Sequence, residues 1–343
     1  MVLVPAHNEQ GNIAGTLDSL AAQTTPPDQI FVVADNCTDD TVAIARAHGA
    51  TVVETEGNTA KKAGALNQAL ALVLPDLAEE DAVLVMDADT ALDREFLTVA
   101  RNYLECGYAA VGGTFTGRDG GGLLGMLQRN EFARYERDVR RRRGKALVLT
   151  GTATVLRVEA LRDVVAARTE GSLPGPPTVY DTHVLTEDNE LTLALRHRGW
   201  PVIAPAGCAM TTEVMTTWGD LYRQRLRWKR GALENLVDYG WTRLTRPYWF
   251  RQLWSFLGVL VTTLYLGSVA ASVAFSGGLV LHPFWLAVTA VFSLERMITV
   301  RSRGPLQVLV GGLLVVEMPY DVFLQGVHVV ALTNALLKRS KKW

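Results

Sequence analysis

The longest stretch without a charged side chain places the strongest constraint on how this 343-residue chain can fold. From Leu253 to Leu294 the sequence contains no Asp, Glu, Lys or Arg. Residues 253–275 alone would form a helix about 35 Å long, which is enough to cross a bilayer core of roughly 30 Å. Because a buried globular core rarely needs so long an uncharged run, we expect this segment to span a membrane.

Two further apolar stretches, 279–300 and 306–337, follow the first. Basic residues flank the three stretches, and the positive-inside rule puts every basic cluster in the cytoplasm. The third stretch must then enter the membrane and return, as a broken or re-entrant hairpin that turns near Pro319. The basic clusters are Arg243, Arg246 and Arg251; Arg301 and Arg303; and Lys338, Arg339, Lys341 and Lys342.

Tryptophan is concentrated ahead of the first predicted span. Amphipathic aromatic rings are typical of the boundary between membrane and water. We therefore expect residues 216–252 to form amphipathic helices at the membrane surface, one of them over 217–238. The residues of this belt are Trp218, Trp228, Trp241, Trp249 and Trp254.

The first 250 residues alternate predicted strands and helices. This alternation favours an α/β domain with a mostly parallel sheet and helices on both faces. Ligands bind such sheets beyond the carboxyl ends of the strands. The predicted strands are 1–6, 29–35, 50–55 and 82–89. Two helices are predicted over 12–23 and 62–74. A further helix, capped by Thr38 or Asp39, should end at His48, and another should begin at Asp93.

Acidic side chains occur where two of these strands end. Asp35 ends the second strand, and Asp87 and Asp89 end the fourth. Residues two apart in an extended chain point to the same side, so the last two carboxylates should face one point. They form either a divalent metal site or a polar junction, in which Asp89 or Thr90 caps the next helix.

Composition and missing motifs exclude several classes of protein. A formal net charge of −1 gives no strongly basic surface for nucleic acid. The spacing of Cys37, Cys106 and Cys208 fits neither a zinc site nor a disulfide framework, which favours a reducing compartment. The segment after the first strand matches neither a dinucleotide-binding nor a P-loop pattern. We expect no signal peptide, because polar residues follow Pro5 almost at once.

Six short segments resemble, in the right order, the motifs of membrane-bound family 2 glycosyltransferases. That branch includes cellulose, chitin, hyaluronan and poly-N-acetylglucosamine synthases. Each motif alone is weak, whereas six in order over residues 1–230 are strong. The segments are VPAHNE (4–9), VVADNCTDDT (32–41), KAGALNQAL (62–70), DAD (87–89), TED (186–188) and QRLRW (224–228).

The resemblance implies a GT-A-type nucleotide-sugar-binding domain, followed by a C-terminal helical transmembrane region. It implies an inverting, metal-dependent transfer of a hexose or N-acetylhexosamine from a UDP-sugar to a saccharide, lipid or protein acceptor. Asp89 would bind Mg²⁺ or Mn²⁺, with Asp87 contacting the donor or the metal shell. Asp188, the last residue of TED, would be the general base.

The remaining motif residues would bind donor or acceptor. By resemblance, Asp35 binds uridine and Lys62 the nucleotide part, although Lys62 could equally be a solvated helix-start residue. Residues 186–199 also read as an ordinary helix capped by Thr186. Gln224 and Arg227 would hold the diphosphate, while Trp228 and Glu187 would contact the acceptor. Arg223, Arg225 and Lys229 are expected to face outward.

These inferences give an integral membrane protein with its catalytic domain in the cytoplasm. The predicted segments are a catalytic domain (1–215), interfacial helices (216–252), a transmembrane region (253–337) and a basic tail (338–343). Processive polysaccharide synthesis could use a channel shared between subunits of a homo-oligomer. The alternatives are a transporter or channel component, which would need intramembrane ligands beyond Glu295, Glu317 and Asp321, and a non-catalytic nucleotide-binding module.

Overall fold

The computed structural model describes residues 1–276 and 283–337. The chain divides into two compact units, each described here by itself. The first contains Met1–Gly120, Tyr135–Val214 and Val237–Tyr239, and the second contains Gly121–Arg134, Met215–Leu236 and the chain from Gly240 onward. The predicted segment boundaries at residues 215, 252 and 337 stay predictions.

Ten strands form two sheets in the first unit. All four predicted strands are present. Strands β1, β2 and β4 are runs of apolar residues, as expected for strands buried between layers of helices, whereas β3 begins at Thr51, ends at Glu54 and is exposed at both ends. The strands are β1 Val2–Ala6, β2 Ile30–Ala34, β3 Thr51–Glu54, β4 Ala82–Met86, β5 Ala91–Leu92, β6 Ala110–Gly112, β7 Thr114–Gly117, β8 Ala153–Arg157, β9 Val202–Ile203 and β10 Ala209–Thr212.

The large sheet has seven strands in the order β3-β2-β1-β4-β8-β6-β9. Strands β3, β2, β1 and β4 are parallel, β8 is antiparallel to both of its neighbours, and β6 pairs in parallel with β9. The expected mostly parallel sheet is therefore confirmed. A smaller sheet has the strand order β5-β10-β7. Its first strand, β5, follows β4 in the sequence after four intervening residues.

Twelve α-helices complete the described chain. Short 3₁₀ turns occur at Leu74–Asp76 and Arg301–Arg303. The helices are α1 Ile13–Ala21, α2 Thr41–Ala47, α3 Lys61–Val73, α4 Phe96–Glu105, α5 Gly122–Arg141, α6 Val158–Thr169, α7 Glu187–His197, α8 Trp218–Tyr239, α9 Arg246–Ser276, α10 Pro283–Val300, α11 Pro305–Gly312 and α12 Leu314–Leu336.

One predicted helix start is wrong. The helix expected from Asp93 begins at Phe96, because the short strand β5 occupies residues 91–92 and pairs with β10. Thr90 and Asp89 therefore do not cap it. Helix α2 begins at Thr41, where the Asp39 carboxylate accepts a 3.1 Å hydrogen bond from the Thr41 backbone N–H. Of the two caps proposed there, Asp39 makes the contact.

Two C-terminal helices are long and apolar enough to cross a membrane by length and composition, namely residues Arg246–Phe275 and Leu314–Leu336. The first coincides with the span expected over 253–275. The described part of the second predicted span forms α10, while residues 279–282 of that span lie outside the described chain. The basic tail at 338–343 also lies outside it.

The third apolar stretch is broken, as expected, but not at Pro319. That proline lies inside α12, and the chain instead leaves helical geometry at Leu313, which has φ −85° and ψ 85°. Consecutive glycines end α11 just before this point, since glycine has low helix propensity. The Ser293 hydroxyl donates a 2.9 Å hydrogen bond to the Gly312 carbonyl, which satisfies one acceptor at the break.

Candidate functional site

Asp35 lies at the carboxyl end of β2 and is held firmly in place. Its Oδ1 accepts hydrogen bonds from Thr55 Oγ1 and Asn58 Nδ2, each at 2.8 Å, and from Asn36 Nδ2 at 3.0 Å. Within the described chain, no side-chain hydrogen bond of Asp35 uses Oδ2. One carboxylate oxygen is therefore anchored by the fold, while the other can accept a hydrogen bond from a ligand.

The glycine of the KAGALN segment permits this arrangement. A Cβ on Gly64 would lie 2.1 Å from Asn58 Oδ1, a distance that real atoms do not tolerate. Asn58 reaches back to the carbonyl of Lys61 as well as to Asp35, so it links the start of α3 to the end of β2. The bare backbone at Gly64 makes room for that asparagine.

Asp87 and Asp89 lie on a turn that directly follows strand β4. Strand β4 ends at Met86, and the Thr90 N–H donates a 3.2 Å hydrogen bond to the Asp87 carbonyl. The expectation that extended geometry aligns the two carboxylates is therefore wrong. The carboxylates are still close enough to repel each other, because the turn folds the chain back on itself.

Asp89 occupies an unfavourable position for a negative charge. Burial, then repulsion from Asp87 and Glu9, raises the pKa of the Asp89 carboxyl from 3.8 to about 7. Its Oδ1 accepts long hydrogen bonds from Thr90 at 3.2 Å and Thr212 at 3.4 Å. A cation bound here would relieve this repulsion, and hard carboxylate oxygens suit Mg²⁺ or Mn²⁺. The residues present thus fit a divalent cation.

The protein alone does not assemble a complete metal site in its described part. Across residues 1–276 and 283–337, no three His, Cys, Asp or Glu side chains converge on a point that could hold a metal ion. Mg²⁺ sites that serve nucleotides commonly use one or two carboxylates, and substrate phosphates and water supply the other ligands. The site around Asp89 has this character.

Lys62 connects the DAD and TED segments. Its ammonium group lies 2.5 Å from Asp87 Oδ1 and 3.5 Å from Glu187, and it donates a 3.1 Å hydrogen bond to the Gly151 carbonyl. Burial would lower the pKa of this ammonium, but Asp87 and Glu187 outweigh burial and raise the pKa above its usual value. Lys62 therefore carries a fixed positive charge between two acidic segments. It is not the solvated lysine of the alternative interpretation.

Asp188 lies in the first turn of α7, next to this charge network. Its Oδ2 accepts a 2.8 Å hydrogen bond from the Gly151 N–H, and its Oδ1 accepts one of 2.7 Å from the Asn189 N–H. Burial and then repulsion from Glu187 raise the pKa of Asp188 to about 6, although Lys62 acts in the opposite direction. A carboxylate with this pKa is ionised at neutral pH and can still accept a proton.

Gly151 allows Lys62 and Asp188 to approach the same backbone. A Cβ at this position would lie 3.1 Å from Lys62 Nζ and 3.3 Å from Asp188 Oδ2. Both distances are shorter than ordinary van der Waals contact. The Gly151 peptide instead binds Asp188 through its N–H and Lys62 through its carbonyl. This glycine belongs to none of the six motifs.

A cavity in the first unit opens beside Asp188. Five of its thirteen lining residues are aliphatic, and its polar groups come from Lys62, Glu187, Asp188 and several hydroxyls. The lining residues are Lys62, Val85, Leu149, Thr150, Gly151, Thr154, Leu156, Tyr180, Glu187, Asp188, Leu191, Thr192 and Leu195.

The second unit carries the QRLRW segment on helix α8. Thr217 caps the start of this helix, because its Oγ1 accepts a 3.1 Å hydrogen bond from the Asp220 N–H. Gln224 and Trp228 are partly buried, whereas Arg227 is exposed. The exposed Arg227 guanidinium is free to meet an anionic group.

Arg225 was expected to face outward, and this expectation is wrong. Its side chain is only 2% exposed and forms a 2.9 Å ion pair with Glu131 of α5. Its guanidinium carbon also lies 4.4 Å from the centroid of the Trp228 ring, as in a cation–π contact. One face of Trp228 is therefore covered by Arg225. Among its neighbours Arg223 is exposed, as expected, while Lys229 is partly buried.

Two acids of α12, Glu317 and Asp321, pair with arginines inside the second unit. Glu317, 1% exposed, accepts hydrogen bonds from Asn130 at 2.7 Å and Arg134 at 2.9 Å, and it also pairs with Arg296. Asp321 pairs with the same Arg296. These acids are structural partners of arginines on α5 and α10.

Sequence reasoning missed Arg118, which binds three elements around the DAD turn. Its guanidinium donates to the Asp89 carbonyl and to Asn12 Oδ1, each at 3.1 Å, and it pairs with Glu213 at 3.3 Å. The residue lies in the glycine-rich segment 112–122, where no motif singles it out. Its role depends on the small sheet, because β7 delivers it to the turn.

Comparison with known proteins assigns the chain to a family. The model of the family described as "Glycosyltransferase like family 2" matches residues 1–231, which is about two thirds of the chain. The chain belongs to this family. The predicted membership of the family 2 glycosyltransferases is therefore confirmed.

Similar family 2 proteins include two staphylococcal synthases. Poly-beta-1,6-N-acetyl-D-glucosamine synthase of Staphylococcus aureus is 27% identical over 280 residues, covering 77% of this chain. The enzyme of the same name from Staphylococcus epidermidis is 25% identical over 279 residues. In both cases the match spans 63% of the relative's own length.

A solved structure shares the fold of this family 2 glycosyltransferase. Mannosyltransferase PcManGT from Pyrobaculum calidifontis, in complex with GDP-Man and Mn²⁺, superposes with a TM-score of 0.64 at 18% sequence identity. The match covers 99% of this chain and 87% of that one. The predicted GT-A-type α/β fold is thus confirmed.

Proposed function

We propose that this protein transfers a sugar from a UDP-sugar to a saccharide, lipid or protein acceptor, with inversion at the anomeric carbon. One observation carries the proposal: Lys62 contacts both Asp87 of the DAD turn and Glu187, next to Asp188. The carboxylate proposed as base and the carboxylates proposed for the donor thus share one partly buried cation. Such a cluster of titratable groups with shifted pKa values is typical of active sites.

Four residues of the family-like motifs would bind the donor, namely Asp35, Lys62, Gln224 and Arg227. Asp35 would accept a hydrogen bond from the uracil or ribose through Oδ2, since its Oδ1 is already occupied by three donors. Lys62, Gln224 and Arg227 would contact the diphosphate part. The exposed guanidinium of Arg227 suits a bidentate contact with phosphate oxygens.

Asp89 would hold a divalent cation, either Mg²⁺ or Mn²⁺, and Asp87 would contact either the nucleotide sugar or the metal shell. The raised pKa of Asp89 supports this assignment, because nearby acids without a counter-charge favour a cation. When bound, the cation would stabilise negative charge on the departing diphosphate as a Lewis acid.

Asp188 would act as general base. As the acceptor hydroxyl attacks the anomeric carbon, Asp188 takes its proton, and the bond between that carbon and the diphosphate oxygen breaks. One base and a single displacement give inversion, so an α-linked donor would yield a β-linked product. Glu187 and the uncovered face of Trp228 would bind the acceptor.

We further propose that the protein is an integral membrane enzyme with its catalytic domain in the cytoplasm. The apolar window of α9 is entirely unburied, which supports a lipid environment for that helix. Polysaccharide synthesis is supported by the two staphylococcal relatives, although the match spans 63% of their length. A transporter is not favoured, because Glu317 and Asp321 are already paired with arginines.

The test is release of UDP from a panel of UDP-sugars by the purified full-length protein in detergent, with and without candidate acceptors. We expect turnover with at least one donor in Mn²⁺ or Mg²⁺, and a β-linked product by NMR. If no donor of the panel is turned over while UDP still binds, the result would instead support the non-catalytic nucleotide-binding module.

A further inference from the structure

Arg118 holds the main chain of Asp89 and leaves the Asp89 carboxylate open. Its Nη2 donates a 3.1 Å hydrogen bond to the Asp89 carbonyl oxygen. Among the described residues, the Asp89 carboxylate accepts side-chain hydrogen bonds only from Thr90 and Thr212, both of them long and both on Oδ1. A positive side chain therefore lies beside the proposed cation site without occupying the carboxylate that would bind the cation.

The end of the small sheet delivers the residues that hold Asp89. Strands β7 and β10 pair in parallel, with Gly117 opposite Thr212. The Arg118 N–H then donates a 2.7 Å hydrogen bond to the Thr212 carbonyl. Arg118 thus reaches the main chain of Asp89 from the same sheet end from which Thr212 reaches its carboxylate. The orientation of this carboxylate depends on the small sheet as well as on strand β4.

The Arg118 guanidinium also ties the turn to the segment that follows β1. Its Nη1 donates a 3.1 Å hydrogen bond to Asn12 Oδ1 and pairs with Glu213 at 3.3 Å. Asn12 in turn donates a 3.0 Å hydrogen bond to Glu9. Three acceptors from three segments therefore share one planar group. A guanidinium holds its donors in a rigid fork, which an ammonium group cannot reproduce.

The charges around Asp89 are only partly compensated. Three other acids lie close enough for their charges to act on it, namely Asp87, Glu9 and Glu213. Lys62 pairs with the first of these acids and Arg118 with the last. Across residues 1–276 and 283–337, Asp89 and Glu9 have no ion pair with a Lys, Arg or His side chain. The uncompensated charge thus lies where the divalent cation is proposed.

We propose that Arg118 is a positioning residue for the divalent cation, because it fixes the main chain of Asp89 and keeps Glu213 paired. The inference rests on the proposed function, which places the cation at Asp89, and it assigns a role to a residue outside the six motifs. Groups that orient a metal ligand without touching the metal typically change metal affinity by about 10–100-fold when they are substituted.

A positioning role and a purely electrostatic role predict opposite effects of Arg118→Gln. Removal of a positive charge would by itself strengthen the binding of Mn²⁺, since like charges repel. Release of the Asp89 turn would weaken that binding. A third possibility, direct contact of Arg118 with the donor, would lower UDP affinity even when no metal is present.

Calorimetry on the purified full-length protein in detergent separates these roles. UDP affinity is measured in EDTA and then over a series of Mn²⁺ concentrations, which gives the Mn²⁺ concentration for half of the maximal gain in UDP affinity. We expect Arg118→Gln to need about 10–100-fold more Mn²⁺ than the unsubstituted protein, with unchanged UDP affinity in EDTA. Arg118→Lys keeps the charge but not the fork, so it should not restore the Mn²⁺ requirement.

The control is Arg101→Gln, which also removes an exposed arginine from an ion pair and should behave as the unsubstituted protein. Because the Arg118 side chain is 39% exposed, its ion pair contributes little to stability and the variants should fold, which circular dichroism checks. If Arg118→Gln does not fold, Arg118→Lys alone decides.

A higher Mn²⁺ requirement in both Arg118 variants supports the proposal. An unchanged or lower requirement in Arg118→Gln, full restoration by lysine, or a loss of UDP affinity in EDTA would overturn it. Each of these results fails only the positioning role if Mn²⁺ still raises the UDP affinity of the unsubstituted protein. If Mn²⁺ has no effect on that protein, the proposed metal assignment fails together with the role of Arg118.

Discussion

The raised pKa of Asp188 predicts the pH dependence of the reaction. A base with a pKa of about 6 is roughly 90% ionised at pH 7 and roughly 10% ionised at pH 5. Because only the ionised form can accept a proton, kcat should fall about tenfold between these pH values and stay level above pH 7. The measurement is the initial rate of UDP release at saturating donor and acceptor.

A second carboxyl could produce a similar acidic limb. Asp89 has a pKa of about 7 before any cation binds, and protons and metal would compete for it. If Asp89 controlled the limb, a tenfold increase in Mn²⁺ would move the limb by up to about one pH unit toward acid. If Asp188 controls it, the limb stays in place at both Mn²⁺ concentrations.

Asp188→Asn completes the test. The amide keeps the size of the side chain but cannot take a proton, so kcat should drop by about 10²–10⁴-fold while UDP affinity survives. Glu159→Gln is the matched control, because Glu159 also lies in the first turn of a helix and is exposed. A limb that shifts with Mn²⁺, or a variant with near-native turnover, would refute the assignment of Asp188 as base.

Three further outcomes follow from the structure. Removal of divalent cations with EDTA, or Asp89→Asn, should abolish transfer and weaken UDP binding; full activity in EDTA would contradict the metal assignment. Gly64→Ala should weaken UDP binding, because the added Cβ would collide with Asn58. Gly15→Ala on α1 is the control: nothing lies within 4 Å of its added Cβ, so it should keep UDP affinity and raise the free energy of unfolding by up to about 1 kcal/mol. Equal UDP affinity in the two variants would contradict this reasoning. Glu317→Ala should lower the free energy of unfolding by about 3–5 kcal/mol, measured by denaturation in detergent, because it leaves partly buried arginines without their partner. Glu105→Gln, in an exposed ion pair, is the control and should lower it by at most about 1 kcal/mol. Similar losses in the two variants would mean that Glu317 is not a buried ion-pair partner.

The parts of the fold that could be predicted from the sequence are those specified by short-range pattern. Strands β1, β2 and β4 are continuous apolar runs, and β3 has an apolar centre; helices separate the four strands, so their parallel pairing could be predicted. Strand β8 could not be placed, because its antiparallel insertion between β4 and β6 depends on pairing with residues about 70 and 45 positions away. Strands β5 and β9 have two residues each and leave no periodic signal.

The same distinction applies to side chains. Helical periodicity assigned Arg225 to an outward face because a charged residue usually faces water. Its partner Glu131 lies 94 residues earlier on another helix, and no pattern within α8 reveals a distant counter-charge. The break in the third apolar stretch was predicted at Pro319 for a related reason. A proline early in a helix removes only one hydrogen bond, whereas the Gly311–Gly312 pair combines poor helix propensity with close packing on α10.

Lys62 explains why the DAD and TED segments can act together although about 100 residues separate them. Three acids, Asp87, Glu187 and Asp188, surround this one ammonium group. Without it, their mutual repulsion would raise the pKa of Asp188 further. A bound donor diphosphate would add negative charge near Asp87. A divalent cation at that position would balance this charge, so that the Lys62 ammonium would balance Glu187 and Asp188. With the proposed donor site and the proposed base, donor binding and the protonation state of Asp188 would be coupled through Lys62.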